Sequence, residues 1–182
     1  MLKCGITGFN GNLGKTFLRC NKKFYYIKFK GDISKKKDVD YWIKNNDFDV
    51  LIHFAALVPT YIVNKNYKKA LNTNFRGTKY LADAIVKYKK KIDWFFFSSS
   101  SHVYPLQKKK IKENFKTKPF SKYGKTKLLA ENYLNKKFKY SRIKICIGRI
   151  FSIIDNKDVS FFTPGLIKKI KQKPKKIILG NL

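Results

Sequence analysis

Tyr123 and Lys127 stand four residues apart in the run Ser121-Lys122-Tyr123-Gly124-Lys125-Thr126-Lys127, so on a helix they share one face, one turn from each other. An ammonium beside a phenol favours the phenolate and draws its pKa down from about 10 toward working pH, which is what a proton-transfer catalyst needs. The spacing alone selects nothing, because it recurs at Tyr26/Lys30, Tyr61/Lys65, Tyr104/Lys108, Tyr133/Lys137 and Tyr140/Lys144. Surroundings single out Tyr123: it follows a serine cluster at a strand end and opens a helix after Pro119 and Ser121. The cluster is Ser98-Ser99-Ser100-Ser101-His102-Val103-Tyr104. If it stays extended, Ser98, Ser100 and His102 point one way and present two hydroxyls and an imidazole, although a polar strand end would look the same. A third group is Thr7-Gly8-Phe9-Asn10-Gly11-Asn12-Leu13-Gly14, which follows the apolar Leu2, Cys4 and Ile6. Its glycines permit positive φ and let a pyrophosphate approach the backbone at a helix start, although such a turn can also be purely structural.

Two phosphate-binding readings of those glycines compete. Gly14-Lys15-Thr16 mimics the end of a P-loop, but the first glycine of that pattern would have to be Phe9. The later apolar run Val50-Leu51-Ile52 ends in His53 and not in an acid that could help hold magnesium, so a dinucleotide fold is the better reading.

The elements that must position these groups alternate. Strands are expected at the N-terminus, over Phe24 to Phe29, Phe48 to Ala56 (running into a loop of small residues), Trp94 to Phe97 and Ile143 to Ile150. Helices are expected over Lys15 to Cys20, Asp38 to Asn46, Ala70 to Lys87 and from Ser121 to about Lys136. Continuously apolar strands alternating with helices mean a parallel sheet covered on both faces, with ligands bound at the carboxyl ends of the strands. The glycine turn, the loop His53 to Ala56 and the run Ser98 to His102 each follow a strand and should converge there, with Asn74 and Tyr123 on helices behind.

The chain's 182 residues can bury one good core, and its longest apolar runs fall far short of a membrane span. Met1 leads straight into a strand, so an untargeted cytoplasmic protein is expected. Cys4, Cys20 and Cys146 are far apart and form no CxxC pair, which argues against a disulfide framework and a zinc site. The formal charge of +31 invites a nucleic-acid reading, but only four of the 42 basic residues are arginines, and the lysines are scattered along the whole chain. A nucleotide-biased genome explains that pattern more economically than a binding face, which would cluster charge and use arginine. No specific nucleic acid and no membrane partner are therefore expected.

Taken together, these motifs resemble the extended short-chain dehydrogenase/reductases of the NAD(P)-dependent nucleotide-sugar epimerase/dehydratase family. TGFNGNLG resembles the family's TGxxGxxG, GDI its acidic adenine contact at Asp32 with Ile33, and IHFAA its cofactor-flanking loop at Phe54, Ala55 and Ala56. NFRGT, opening at Asn74, resembles its NxxGT helix, and SSSSHVY with YGKTK supplies a Ser, Tyr and Lys triad. The resemblance implies that Ser100 hydrogen-bonds the reacting oxygen, that Tyr123 exchanges its proton, and that Lys127 binds the nicotinamide ribose. It implies a nucleotide-sugar substrate and a homodimer paired through the helices of Asn74 and Tyr123. Ser101 and His102 stand where the family's 4,6-dehydratases have Asp and Glu, which disfavours dehydration, and the SSHVYP run is closer to the reductases. His102 is then a substrate-side acid or base, or else an orienting or merely structural histidine, and His53, packed among apolar residues, is either structural or a support behind the residues that touch the ligand. The cofactor is NAD or NADP. No acid ends the second strand, whereas Arg19, Lys28 and Lys30 could meet a 2′-phosphate, so the reading leans to NADP.

The expected architecture is a Rossmann-type doubly wound parallel sheet over residues 1–152, with 153–182 only the start of the small substrate domain. Thr163 to Ile167 should start a helix and Ile177 to Leu182 resembles the strand before an arginine-aspartate segment that is missing, so the chain is expected to be C-terminally truncated. An epimerase or reductase, or a truncated regulatory dinucleotide-binding module without turnover, both fit this reading.

Overall fold

A computed structural model describes residues 1–58, 60–108, 110–152, 167 and 170–172. The expected strand at 177–182 lies outside the described residues, as does the expected helix start at 163–166. The chain divides into two compact units, Met1–Arg149 and Ile150–Leu182. In the second, Phe151 and Ser152 are exposed coil, and Ile167, Ile170 and Lys171 are helical and exposed.

The first unit alternates strands and helices as the apolar periodicity requires. Five strands, β1 (Leu2–Thr7), β2 (Phe24–Lys28), β3 (Val50–His53), β4 (Trp94–Ser100) and β5 (Lys144–Ile150), form one sheet in the order β2-β1-β3-β4-β5. The ladders are parallel, with Cys4 opposite both Tyr26 and Val50, and Ile52 opposite Phe96. Alternation along each strand divides the core in two. Leu51, Phe95 and Phe97 point to one face, beneath Val39, Trp42 and Ile43 of α2 (Lys36–Asn45), Leu81 and Ile85 of α5 (Gly77–Lys87), and Ala130 and Leu134 of α6 (Lys122–Lys137). Cys4, Ile6 and Ile52 point to the other, where Phe17 and Leu18 of α1 (Asn12–Cys20) cover them. Helices on both faces leave the carboxyl ends of the strands as the open rim, and the order reverses between β1 and β3.

Three departures from the sequence reading bear on function. The first helix begins at Asn12, so the last residues of the glycine run are already its first turn. The helix expected over Ala70 to Lys87 is a short α4 (Tyr67–Ala70), a π-helical segment (Leu71–Arg76) and α5, preceded by an unanticipated α3 (Thr60–Lys65). The π-segment widens the helix where Asn74 turns inward, a device common at functional sites. Finally, β4 continues through Ser100, and Ser101–Val103 then close a 3₁₀ turn in which the Ser100 hydroxyl accepts from the His102 amide at 3.2 Å. His102 therefore does not extend the alternation of Ser98 and Ser100.

Candidate functional site

The glycine turn is built for close approach. Gly8 has φ +69°, a conformation L side chains rarely adopt, and a Cβ there would lie 2.6 Å from the Phe54 carbonyl carbon. The turn after β1 is thus pressed against the loop after β3. A Cβ at Gly14 would overlap the Phe9 backbone, so the helix also needs a glycine where it packs on the turn. Gly11 differs: it is extended, and a Cβ would meet only the Gly8 carbonyl, at 3.4 Å. The space over Gly11 is open. Gly11 caps α1 with no side-chain acceptor, and the first turn carries no acidic residue, so the positive end of the helix, rising through Asn12, Leu13 and Gly14, faces that space. Phe9 and Asn10 complete the turn, and the Lys28 ammonium lies 5.6 Å from the centroid of the Phe9 ring. This donor set fits the pyrophosphate of a dinucleotide.

Asp32 sits beyond β2 on an exposed turn, where the amide and hydroxyl of Ser34 donate to its Oδ1 at 2.9 and 2.8 Å. Those bonds hold its carboxyl below the usual range. Ile33 is buried against Gly77, where a Cβ would stand 2.9 Å from the Ile33 carbonyl oxygen. That close approach explains the glycine of the Asn74-Phe75-Arg76-Gly77-Thr78 run.

A buried hydrogen-bond chain joins the cradle to the second group of residues. The Ala55 amide donates to Thr7 Oγ1 at 3.2 Å, and Thr7 Oγ1 lies 2.6 Å from His53 Nδ1. On its other side His53 Nε2 lies 2.9 Å from Thr78 Oγ1, which donates to the Asn74 carbonyl at 2.7 Å. The Asn74 side chain accepts from the Leu57 amide at 2.6 Å and donates to the Leu57 carbonyl and to Thr126 Oγ1, each at 3.1 Å. Thr126 in turn donates to the Tyr123 carbonyl at 2.7 Å. Phe54, Ala55 and Ala56 are thereby held between the glycine turn and the π-segment.

Tyr123 and Lys127 share the buried face of α6, as their spacing requires. Ser121 caps the helix by accepting from the Gly124 amide at 3.0 Å. The Lys127 ammonium donates to the Ser98 carbonyl at 2.7 Å and lies 5.8 Å from the Tyr123 ring centroid and 4.8 Å from that of Phe97. Burial brings Lys127 down to about 7, against the opposing field of Glu131. The phenol departs from expectation: burial pushes Tyr123 up to about 12, not down. Desolvation of the phenol is the cause of that rise. His102 stacks 4.7 Å from Phe120, meets the Tyr123 ring edge-on at 5.7 Å, and has Nδ1 3.0 Å from Ser121 Oγ. Burial lowers its pKa, so the imidazole is neutral at neutral pH. A Cβ on Gly124 would fall 2.7 Å from the His102 carbonyl carbon, so glycine at this position lets α6 start against the 3₁₀ turn.

The sequence reading named Thr7, Thr78 and Thr126 only as members of motifs and missed their bonding roles, and it gave no role to Glu131 or Arg149. Glu131 continues the stripe of Tyr123 and Lys127 by one more turn, a signal hidden by the many charged residues. Fully buried, it accepts from Ser99 Oγ and pairs with Arg149 at 2.8 Å, whose guanidinium also donates to Tyr104 Oη at 2.8 Å. This pair ties β4, α6 and β5 to the loop after the 3₁₀ turn.

Among the described residues no group of His, Cys, Asp and Glu could hold a metal ion, and no helix is long and apolar enough to cross a membrane. The profile of the NAD dependent epimerase/dehydratase family matches residues 7–182. A bifunctional UDP-glucose 4-epimerase and UDP-xylose 4-epimerase of Pisum sativum is 35% identical over 105 residues, covering 56% of this chain and 29% of that enzyme. A UDP-glucose 4-epimerase of Mycoplasma genitalium is 28% identical over 144 residues, 73% of this chain and 42% of the relative. Among solved structures, RMD from Pseudomonas aeruginosa, complexed with NADPH, superposes with a TM-score of 0.81 at 20% identity, covering 95% of this chain and 63% of that one. A UDP-glucuronic acid 4-epimerase from Bacillus cereus, in complex with UDP-glucuronic acid and NAD, gives 0.73 at 24% identity, with 94% and 63% covered. The chain thus matches less than half the length of either curated relative.

Proposed function

The chain belongs to the NAD dependent epimerase/dehydratase family, and on that premise we propose that it acts on a nucleotide sugar as an NAD(P)-dependent epimerase or reductase, with Tyr123 as the acid/base. The observation that carries this reading is the joining of three parts by one buried bonding chain: the open cradle over Gly11, the Asn74 segment, and the α6 face bearing Tyr123 and Lys127. In such a site the pyrophosphate rests on the amides that begin α1, Asp32 with Ile33 borders the adenine end, and Lys127 reaches the nicotinamide ribose. A bound nicotinamide supplies or takes the hydride. Ser100 hydrogen-bonds the oxygen on the sugar carbon that changes oxidation state, Tyr123 gives or takes the proton on that oxygen, and Lys127 favours the phenolate. His102, neutral and beside Tyr123, is placed to move a second proton on the substrate side.

The cofactor choice leans to NADP. Lys28 lies beside Phe9 at the end of β2, and no carboxylate stands there to accept ribose hydroxyls. A homodimer through the exposed sides of α5 and α6, where Val86 and Leu129 face outward, belongs to the same proposal. So does the assignment of residues 1–152 to dinucleotide binding and 153–182 to the start of a substrate region. A second reading, dinucleotide binding without turnover, is favoured by the surroundings of the phenol, where burial pushes Tyr123 up to about 12 and works against proton release.

Replacing Tyr123 with Phe separates the two. If Tyr123 is the acid/base, the variant loses turnover of UDP- or dTDP-sugars by about 100-fold or more, while its dinucleotide dissociation constant, measured by nicotinamide fluorescence, stays within about threefold of the parent's. Sugar conversion that survives in Tyr123→Phe would overturn the assignment, and a parent chain that binds dinucleotide with no turnover would establish the second reading.

A further inference from the structure

The partners of His53 fix where its protons lie. The Asn74 carbonyl can only accept, so at 2.7 Å it takes the single hydroxyl proton of Thr78. Thr78 Oγ1 must then be the acceptor in its 2.9 Å contact with His53 Nε2, which therefore carries the ring proton. Thr7 Oγ1, which already accepts from the Ala55 amide, has its own proton left to give, and at 2.6 Å His53 Nδ1 takes it. The bonds run in one direction: Ala55 N–H to Thr7, Thr7 O–H to His53, His53 N–H to Thr78, Thr78 O–H to the Asn74 carbonyl. The opposite tautomer would set two lone pairs against each other at Thr78. A doubly protonated ring would place an unpaired charge in a fully buried site that also contains the Lys127 ammonium. The remaining groups facing the residue are apolar or neutral: the rings of Phe95 and Phe97, and Ser98, whose hydroxyl donates to the His53 carbonyl at 3.1 Å.

This chain spans the molecule from the cradle to the catalytic helix. Ala55 lies against Gly8, and Asn74 reaches the backbone of Tyr123 through Thr126. Resting on the dinucleotide reading above, we propose that His53, held as the neutral Nε2–H tautomer, is a positioning residue that sets the spacing between the glycine turn and Tyr123. It touches neither cofactor nor substrate in this role.

The chain has two histidines, so the ring-nitrogen signals of a ¹⁵N-histidine-labelled sample are assigned by comparison with His102→Gln. We expect His53 to show a protonated Nε2 and an unprotonated Nδ1, unchanged from pH 5 to 8, with no dinucleotide present. The Thr78→Val variant, which removes the acceptor of the Nε2 proton together with the donor to the Asn74 carbonyl, should disturb that signature. Thr7→Val and His53→Phe should each weaken dinucleotide binding about tenfold and shift the amide resonances of both Gly8 and Tyr123, and the double variant should be no worse than the weaker binder alone. A proton on Nδ1, titration of His53 between pH 5 and 8, or folded Thr7→Val and Thr78→Val variants with unmoved Tyr123 resonances and affinity within twofold of the parent's would overturn the proposal. Should His53→Phe not fold, the two valine variants carry the test. If the unsubstituted chain binds no dinucleotide, the functional reading fails, while the tautomer and the Tyr123 resonances still decide this one.

Discussion

At the scale of single residues, burial shapes this site by weakening its bases. His53 is brought down to about 3, first by burial and then by the Lys127 charge, and Lys127 is brought down to about 7, chiefly by burial. Both values lie below those of the unfolded chain, so both groups bind fewer protons folded than unfolded within their windows. Stability must then fall as pH drops from about 6.5 toward 3 through His53, and as it drops from about 10.5 toward 7 through Lys127, by at most about 1.4 kcal/mol per pH unit for each group. Urea unfolding at several pH values should show Lys127→Met with a flatter profile than the parent between pH 7 and 10. An unchanged slope would mean that Lys127 is solvated. The type and spacing of Tyr123 and Lys127 were legible in the sequence, but their protonation was not. A lysine four residues from a tyrosine predicts mutual attraction, whereas the extent of desolvation depends on Phe97, Ser98 and the helix packing, which no local pattern reveals.

At the scale of elements, the strands and most helices follow from apolar periodicity, and the exceptions are where side chains override it. The stripe Leu71, Phe75, Thr78, Leu81, Ala82, Ile85 reads as one uninterrupted helix, yet Asn74 makes three bonds to Leu57 and Thr126 and opens a π-segment there. Similarly, Ser98 to His102 reads as extended, but the Ser100 hydroxyl captures the His102 amide and turns the chain. The close approaches of glycines are testable on the same footing. Gly8→Ala forces a side chain into positive φ against Phe54 and Ala55, and Gly124→Ala drives one into the His102 backbone. Each should destabilise the fold by about 2 kcal/mol or more in chemical denaturation, with no relief from a smaller neighbouring side chain, because the obstacle is backbone. A loss below about 0.5 kcal/mol for either would show that the turn shifts freely.

At the scale of the whole molecule, the doubly wound sheet places the Gly8 turn and the His53 to Ala56 loop on either side of the point where strand order reverses, and the parts of the site agree with one another there. The charge of +31 is a separate property. Spread over lysines, it should give polyanion binding without sequence preference that falls by roughly a thousandfold between 50 and 200 mM salt. Fluorescence anisotropy with two unrelated DNA duplexes checks this, and affinity that persists and distinguishes the duplexes at the higher salt would contradict it. The cradle is most cleanly reached through Gly11. Gly11 is extended and a Cβ there meets only one carbonyl oxygen at 3.4 Å, so Gly11→Ala should keep the parent's fold and melting temperature while placing a methyl group where the proposed pyrophosphate would lie. Titration of parent and Gly11→Ala with NADPH and NADH, followed by nicotinamide fluorescence, reads dinucleotide binding at the cradle itself. The parent should bind saturably, and an equally stable Gly11→Ala at least about tenfold more weakly. Equal affinity in the two proteins, or no binding by the folded parent, would contradict the proposed cradle.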